Sequence, residues 1–190
     1  FLTRAQCAEN LRLIQHRPSW SLLAKALEDP HPDVQAVAAR ALAAIGEPQA
    51  FPSLVQRLHR AVFMPSIGIS VRSVKAALVQ FPLDYADYLL PSLNHAHPRI
   101  RFLATDIVRE MVEHAAELKG DDQVEALSPQ LVHVFLNKLH RDENPDVRAR
   151  SAHVISRFTD ARARTALITL VEDSQWFVRL HAIRALAQPK

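Results

Sequence analysis

The sequence is poor in glycine and cysteine. With only 3 glycines in 190 residues, there are few positions for glycine-dependent hairpin turns or phosphate-binding loops. The single cysteine, Cys7, cannot form an internal disulfide bond. Because it lies in an apolar-periodic stretch, we expect a buried thiol and a reducing compartment.

Long apolar runs are also absent, which excludes a membrane-spanning helix within these residues. The first residues do not follow the charged-then-apolar pattern of a signal peptide, and we expect none within these residues. A composition of 48% hydrophobic and 23% charged residues indicates a soluble chain that buries a core, and we expect a cytoplasmic location. Because the first residue is Phe1 rather than Met, we expect that the chain was cut from a longer protein or processed, so tethering through an absent segment stays open.

Helix-forming residues fill most of the chain. Alanine, leucine and arginine are abundant, which favours α-helices. Among the 12 prolines, several mark breaks between apolar-periodic segments, where proline starts a helix or prevents the preceding one from continuing. Examples are Pro30, Pro32, Pro48, Pro82, Pro98 and Pro145. The sequence therefore predicts an all-α protein.

One short pattern recurs five times along the chain. A β-branched residue is followed by mostly apolar or small residues four, seven and eight places later, and these positions share one side of an α-helix. Successive copies are 37, 29, 47 and 31 residues apart, in and around the range of two-helix solenoid repeats. The β-branched residues are Val34, Val71, Ile100, Val147 and Val178.

A further apolar-periodic segment precedes each copy, so the repeating unit is a helical hairpin. We predict a single array over residues 1–190, in which residues 1–17 are the second helix of a partial repeat. Residues 62–70 and 118–129 lengthen two repeats, and we expect exposed, mobile joints there. The predicted hairpins span 19–46, 48–81, 83–117, 124–158 and 161–188.

The sequence pattern of the repeat resembles that of HEAT repeats. A leucine-rich first helix is followed by Asp, a short turn with Pro, and Val-Arg-x-x-Ala-x-x-Ala-Leu, as in "DENPDVRARSAHVI". The short bacterial type, also found in phycobilisome lyases, is the most similar. The resemblance implies a right-handed α-solenoid whose second helices line a concave face. It also implies a non-enzymatic scaffold that binds a protein partner there.

The resemblance also implies a ladder of ion pairs between neighbouring repeats. In HEAT repeats, the Asp before the turn and the Arg after the Val tend to bridge adjacent hairpins, and a structural role suits that spacing better than ligand binding. Asp142 with Arg148 and Asp173 with Arg179 match the pattern, and Asp29 matches as the acid. Gln35, His95 and the unmatched Arg72 interrupt it.

Catalytic and metal-binding motifs are lacking. His95 and His97 are the closest histidine pair, but a metal site needs a third ligand that the spacing does not supply. Asp121 and Asp122 lie in a polar linker and fit a solvated segment. The sequence therefore favours a protein without enzymatic activity, cofactor or metal.

Nucleic-acid binding is the alternative function. The pI is about 9.4, but residues 141–190 hold 9 Lys and Arg against 6 Asp and Glu and account for the whole net charge of +3. So modest an excess is weaker than a phosphate-binding stripe. HEAT-like DNA glycosylases would carry aromatic groups on the concave face, but neither Trp20 nor Trp176 lies in the body of a second helix.

The helical phase predicts which side chains point away from the core. Phe102 and Leu180 are large apolar residues on this surface, and they indicate either a partner contact or a shifted helix register. Trp176 fits a packing cap or a partner contact. The basic residues on two C-terminal helices fit either a solvated face or recognition of an acidic segment. The predicted partner-binding residues are Arg40, Phe102, Asp106, Arg109, Arg150, His153, Arg157, Leu180 and Arg184.

Overall fold

The computed structural model describes residues 1–64, 68–119, 127–158 and 160–187, and no β-strand occurs among them. The predicted all-α fold is confirmed. The α-helices are α1 (Leu2–Leu13), α2 (Trp20–Ala26), α3 (Pro32–Ile45), α4 (Ala50–Phe63), α5 (Val71–Leu78), α6 (Leu90–Leu93), α7 (Pro98–Lys119), α8 (Pro129–Asn137), α9 (Pro145–Ser156), α10 (Ala161–Val171) and α11 (Trp176–Ala187).

The chain forms two compact units, Phe1–Phe81 and Pro82–Lys190. The N-terminal unit holds α1 and the hairpins α2–α3 and α4–α5, and the C-terminal unit holds the α6–α7, α8–α9 and α10–α11 hairpins. The boundary coincides with a predicted hairpin boundary, while the single array over residues 1–190 stays a prediction.

Each unit has a core of aliphatic and aromatic side chains at the predicted positions. In the N-terminal unit, Phe51 of α4 packs edge-to-face on Phe81 with ring centroids 5.2 Å apart. In the C-terminal unit, Phe135 of α8 makes the same kind of contact with Phe158 at 6.1 Å. Both pairs are buried, and the edge-to-face geometry is a favoured one for aromatic rings.

The first helix of the third hairpin departs from the predicted regular helix. Residues Leu83–Leu89 form a 3₁₀ helix, and only Leu90–Leu93 are α-helical. Pro91 has no N–H group, so it cannot make the α-helical bond to the carbonyl of Asp87, and that carbonyl accepts from Leu90 instead.

Side-chain caps and one glycine define several helix ends. Asn144 and His31 accept a hydrogen bond from the backbone N–H two residues later, at the starts of α9 and α3. Gly46 ends α3 with φ of 67°, a left-handed conformation that glycine adopts without strain.

Consecutive second helices pack through small side chains. Ala39 on α3, Thr105 on α7 and Ala152 on α9 lie five places after the repeat's first position and are buried, as is Ala8 on α1. The equivalent Ala76 on α5 and Ile183 on α11 are exposed. Small residues here let helix backbones approach closely. α1 therefore packs against α3 as a second helix does, as predicted for residues 1–17.

Three ion pairs form the predicted ladder. Arg101 donates from Nε and Nη2 to both carboxylate oxygens of Asp142, at 2.7 and 2.8 Å. Arg148 and Asp173 repeat this geometry at 2.6 and 2.9 Å. In the N-terminal unit, Arg4 binds Asp29 at 2.6 and 3.1 Å. Because each pair joins adjacent hairpins or α1 to the next hairpin, the bridging role of the ladder acids and of Arg148 is confirmed. Arg101 and Arg4 supply the other two cations, and Arg179 instead donates to the backbone carbonyl of Asp173 at 2.8 Å.

Where Gln35 interrupts the ladder, a different network takes its place. The Gln35 side chain donates to the Asp29 carbonyl, and its Oε1 accepts from Arg57 Nη2 at 2.7 Å and from Ile69 N at 2.8 Å. Gln35 and Arg57 are both buried. The substitution therefore replaces an ion pair with hydrogen bonds that connect α3, α4 and the segment before α5.

Two expectations about individual segments need comment. Cys7 is exposed, so the predicted buried thiol is wrong: the neighbouring Ala8 occupies the buried face of α1. Of the predicted exposed joints at 62–70 and 118–129, residues 65–67 and 120–126 lie outside the described residues, and so do Asp121 and Asp122. In the described parts, Val62, Ile69 and Leu127 are buried, so the expected exposure is wrong at these residues.

Candidate functional site

Helix α7 presents a row of charged side chains in the C-terminal unit. Arg109 lies among three carboxylates of its own helix: Asp106 at 3.0 Å, Glu110 at 2.9 Å and Glu113 at 2.5 Å. Their spacing of one to four residues brings them within reach on one helix surface. The Arg109 charge is thus already neutralised within α7.

Side chains of α9 join this row. Arg150 Nε lies 3.2 Å from Asp106 Oδ1, and its guanidinium group stands 5.7 Å from the centre of the Phe102 ring, a cation–π distance. His153 Nε2 lies 2.9 Å from Glu113 Oε1. We call the five charged or titratable residues that join α7 to α9 the second-helix cluster: Asp106, Arg109, Glu113, Arg150 and His153.

The pKa values in the second-helix cluster reflect burial and neighbouring charges. Burial opposes the charged form of Arg109, but the attraction of Asp106 and Glu113 outweighs it, so the pKa of Arg109 is raised. Burial lowers the pKa of His153, and Arg109 adds to that shift while Glu113 opposes it. Burial thus favours the neutral form of His153.

Helix α11 carries a histidine, His181, near the second-helix cluster, and an exposed arginine, Arg184. Burial lowers the pKa of His181, and the nearby charges of Arg150, Arg184 and Arg109 lower it further. Arg184 is exposed and Leu180 is half-buried. Arg184 forms no ion pair within the part of the chain that the structure describes.

The predicted basic patch of Arg150, His153, Arg157 and Arg184 is therefore a mixed-charge surface. Asp106, which we expected to face solvent, is only 5% exposed, because it lies between α7 and α9 and binds arginines from both helices. The ring of the half-buried Phe102 lies beside the guanidinium group of Arg150, and its partner contact stays a prediction. Sequence periodicity did not reveal this pairing, since it joins residues 44 positions apart.

The N-terminal unit carries an open groove on its second helices. One section, about 660 Å³ in volume, lies between α1 and α3, and a second of about 560 Å³ lies between α3 and α5. Val37 and Arg40 of α3 line both sections, so the two adjoin along α3. The predicted Arg40 lies at the centre of this groove.

Sequence reasoning missed the other arginine of this groove. Arg72, in the first turn of α5, lines the α3–α5 section together with Arg40. It occupies the ladder position of its repeat, and the lack of an equivalent acid was the available signal. Neither Arg40 nor Arg72 forms an ion pair or hydrogen bond with any described residue, and both are exposed.

The histidine pair serves as helix-start caps. The Nδ1 atoms of His95 and His97 accept backbone N–H groups, from His97 at 3.0 Å and from Arg99 at 3.2 Å. Within residues 1–64, 68–119, 127–158 and 160–187, no three His, Cys, Asp or Glu side chains are grouped to hold a metal ion. Trp176 is 67% exposed, and its ring meets that of Phe177 edge-on.

Comparison with known protein families identifies the class. The sequence matches HEAT repeats over residues 2–62 and 132–190, which is more than half of the chain. The protein belongs to the HEAT-repeat family, a repeat scaffold generally used for protein interaction. A search of curated proteins gives no match. None of the described helices has the length and apolar character needed to cross a membrane.

Proposed function

We propose that this protein is a non-enzymatic scaffold that binds a protein partner on the face formed by its second helices. Membership of the HEAT-repeat family supports protein interaction in general. The observation that carries the proposal for this chain is the pair of adjoining open groove sections along α1, α3 and α5. The opposite sides of the same helices form the core, so the groove side chains are not needed for packing within the unit.

The groove is suited to a polypeptide more than to a small molecule. Its two sections together extend across three helices, and they are open rather than enclosed. Small-molecule sites generally bury most of the ligand in an enclosed cavity. An open surface lined by small residues instead offers room for a segment of another protein.

Nucleic acid is a less suitable partner, because so many of the arginines are already engaged. In the C-terminal unit, Arg101, Arg109, Arg148 and Arg150 each contact a carboxylate. Tracking a phosphate backbone requires several available cations along one path. Nucleic-acid binding is therefore kept as an alternative outcome of the crosslinking experiment.

A matched pair of photo-crosslinking positions tests the proposal. Gln80 lines the groove, whereas Gln56 is exposed on α4, a first helix. With a photoreactive residue at each position in turn, we expect protein adducts in cell extract from position 80 and few from position 56. Equal crosslinking from both positions would contradict recognition by the second helices.

The nature of the captured material separates the two functions. A protein partner gives an adduct that nuclease leaves unchanged. An adduct that nuclease removes, together with a steep fall in binding as salt rises, would favour the nucleic-acid alternative.

A further inference from the structure

We infer that the groove between α3 and α5 binds an acidic protein segment, whose carboxylates pair with Arg40 and Arg72. The inference rests on the proposed function, since it names the chemistry of the partner in the same groove. It moves the expected acidic recognition from the C-terminal arginines to the N-terminal unit.

The two arginines belong to one surface. Arg40 extends from α3 and Arg72 from the first turn of α5, and both line the same groove of about 560 Å³. Ala36, Ala76 and Ala77 also line it. With such short side chains between the helices, a partner's backbone can approach closely enough for its carboxylates to reach the guanidinium groups.

The acidic residues around the groove have other partners or point into solvent. Asp33, the acidic residue of this section, is 71% exposed in its side chain and lies 3.7 Å from His31 Nδ1. Glu9, in the adjoining section, is held by Arg12 at 2.6 and 3.0 Å. The Arg12 hydrogen bond is the main cause that lowers the pKa of Glu9, and the charge of Arg40 adds the least to that shift.

The two groove cations therefore stay available for a partner. Within the described ranges, no carboxylate forms an ion pair with Arg40 or Arg72. Arg109 and Arg150 of the second-helix cluster differ in this respect, since each contacts Asp106.

Carboxylates fit this arrangement for a physical reason. A guanidinium group can donate two parallel hydrogen bonds to one carboxylate, and this chain makes that contact three times in its own ladder. Two cations in one groove suit a short segment with two or more acidic residues. They do not form the longer basic path that a nucleic-acid strand requires.

A selection from random peptides tests the inference while the natural partner is unidentified. A library of random 12-residue peptides displayed on phage is selected against the whole chain and against R40E/R72E. A second variant, R17E/K25E, makes the same change in net charge at two exposed positions of the same unit outside the groove. Circular dichroism verifies that all three proteins have the same helix content.

We expect the unmodified chain and R17E/K25E to enrich acidic peptides, and R40E/R72E to enrich neutral or basic ones instead. A synthetic acidic peptide from the selection should bind R40E/R72E at least about tenfold more weakly than it binds R17E/K25E, as measured by fluorescence anisotropy. Restored binding of its Lys-substituted counterpart to R40E/R72E would locate the contact at the two arginines.

Each contrary result has a distinct meaning. Enriched peptides without acidic bias, or acidic peptides that bind R40E/R72E as well as the unmodified chain, would overturn the acidic-segment inference while leaving protein recognition intact. Failure of any peptide to enrich, with no crosslinking from position 80, would contradict the proposed function and the inference together.

Discussion

Replacing Arg101 by Met should destabilise the C-terminal unit strongly. The side chains of Arg101 and Asp142 are only 6% and 2% exposed, so the variant leaves a buried carboxylate without its cation. Removing one partner of a buried ion pair typically costs about 3–5 kcal/mol of unfolding free energy. Asp142 still accepts from the backbone N–H of Asn144 at 2.9 Å, which places the expected loss near the lower value.

The same reasoning gives a thermal shift and an internal control. For proteins of this size, 1 kcal/mol corresponds to about 2–4 °C in Tm, so a loss of about 3 kcal/mol predicts a fall of about 6–12 °C. Arg4→Met removes the same two-bond contact, to Asp29, but Arg4 is 55% exposed in its side chain, and its loss should be much smaller.

Thermal and urea unfolding followed by far-UV circular dichroism measures both variants. Adding Asp142→Leu to Arg101→Met should recover part of the lost stability, because no unpaired charge then remains buried. The reasoning would be refuted if Arg101→Met had the same Tm and urea midpoint as the unmodified chain or as Arg4→Met. It would also be refuted if the second substitution deepened the loss.

Three further perturbations have defined outcomes. Gly68→Ala should destabilise the N-terminal unit by about 1–3 kcal/mol in urea unfolding, because φ is +90° and the added Cβ overlaps Arg57 Nη2; unchanged stability would contradict this. Burial holds the pKa of His140 below its ordinary 6.5, so the unfolded chain takes up the proton first. Stability should fall as pH drops below about 6.5, with a shallower fall in His140→Asn; equal slopes would refute that cause. The Arg162 side chain holds the pKa of Asp160 at about 2. Arg162→Gln should raise this pKa towards 3.8 in a carboxyl ¹³C NMR titration; an unchanged pKa would mean that the backbone N–H of residue 162 alone lowers it.

The structure changes what the C-terminal arginines can be expected to do. The helical phase places Arg150, Arg157 and Arg184 away from the core, which by itself would allow all three to be replaced without loss of stability. Arg150, however, pairs with the buried Asp106, so its replacement should cost stability. Arg184, which is exposed, remains the suitable member for a test of binding alone.

Local patterns were sufficient to determine the helices and their grouping. The recurrence of Val34, Val71, Ile100, Val147 and Val178 with apolar residues at helical spacing predicted the hairpins, because the period of an α-helix is set by its own backbone. Prolines predicted many of the helix starts, because the fixed φ of proline suits the first helical turn. The same local sequence pattern identified the resemblance to HEAT repeats and the ladder acids Asp29, Asp142 and Asp173.

Only the tertiary structure decided which charges stay available for a partner. Asp106 pairs with Arg150, and Arg101 pairs with Asp142. Both pairs join residues more than forty positions apart, and the periodicity within one helix does not predict which carboxylate on another element lies opposite which arginine. The groove likewise arises from the separation of α3 and α5, which depends on packing between helices. The sequence alone therefore determined the helices and their repeat, whereas packing determined which arginines are neutralised and which face the groove.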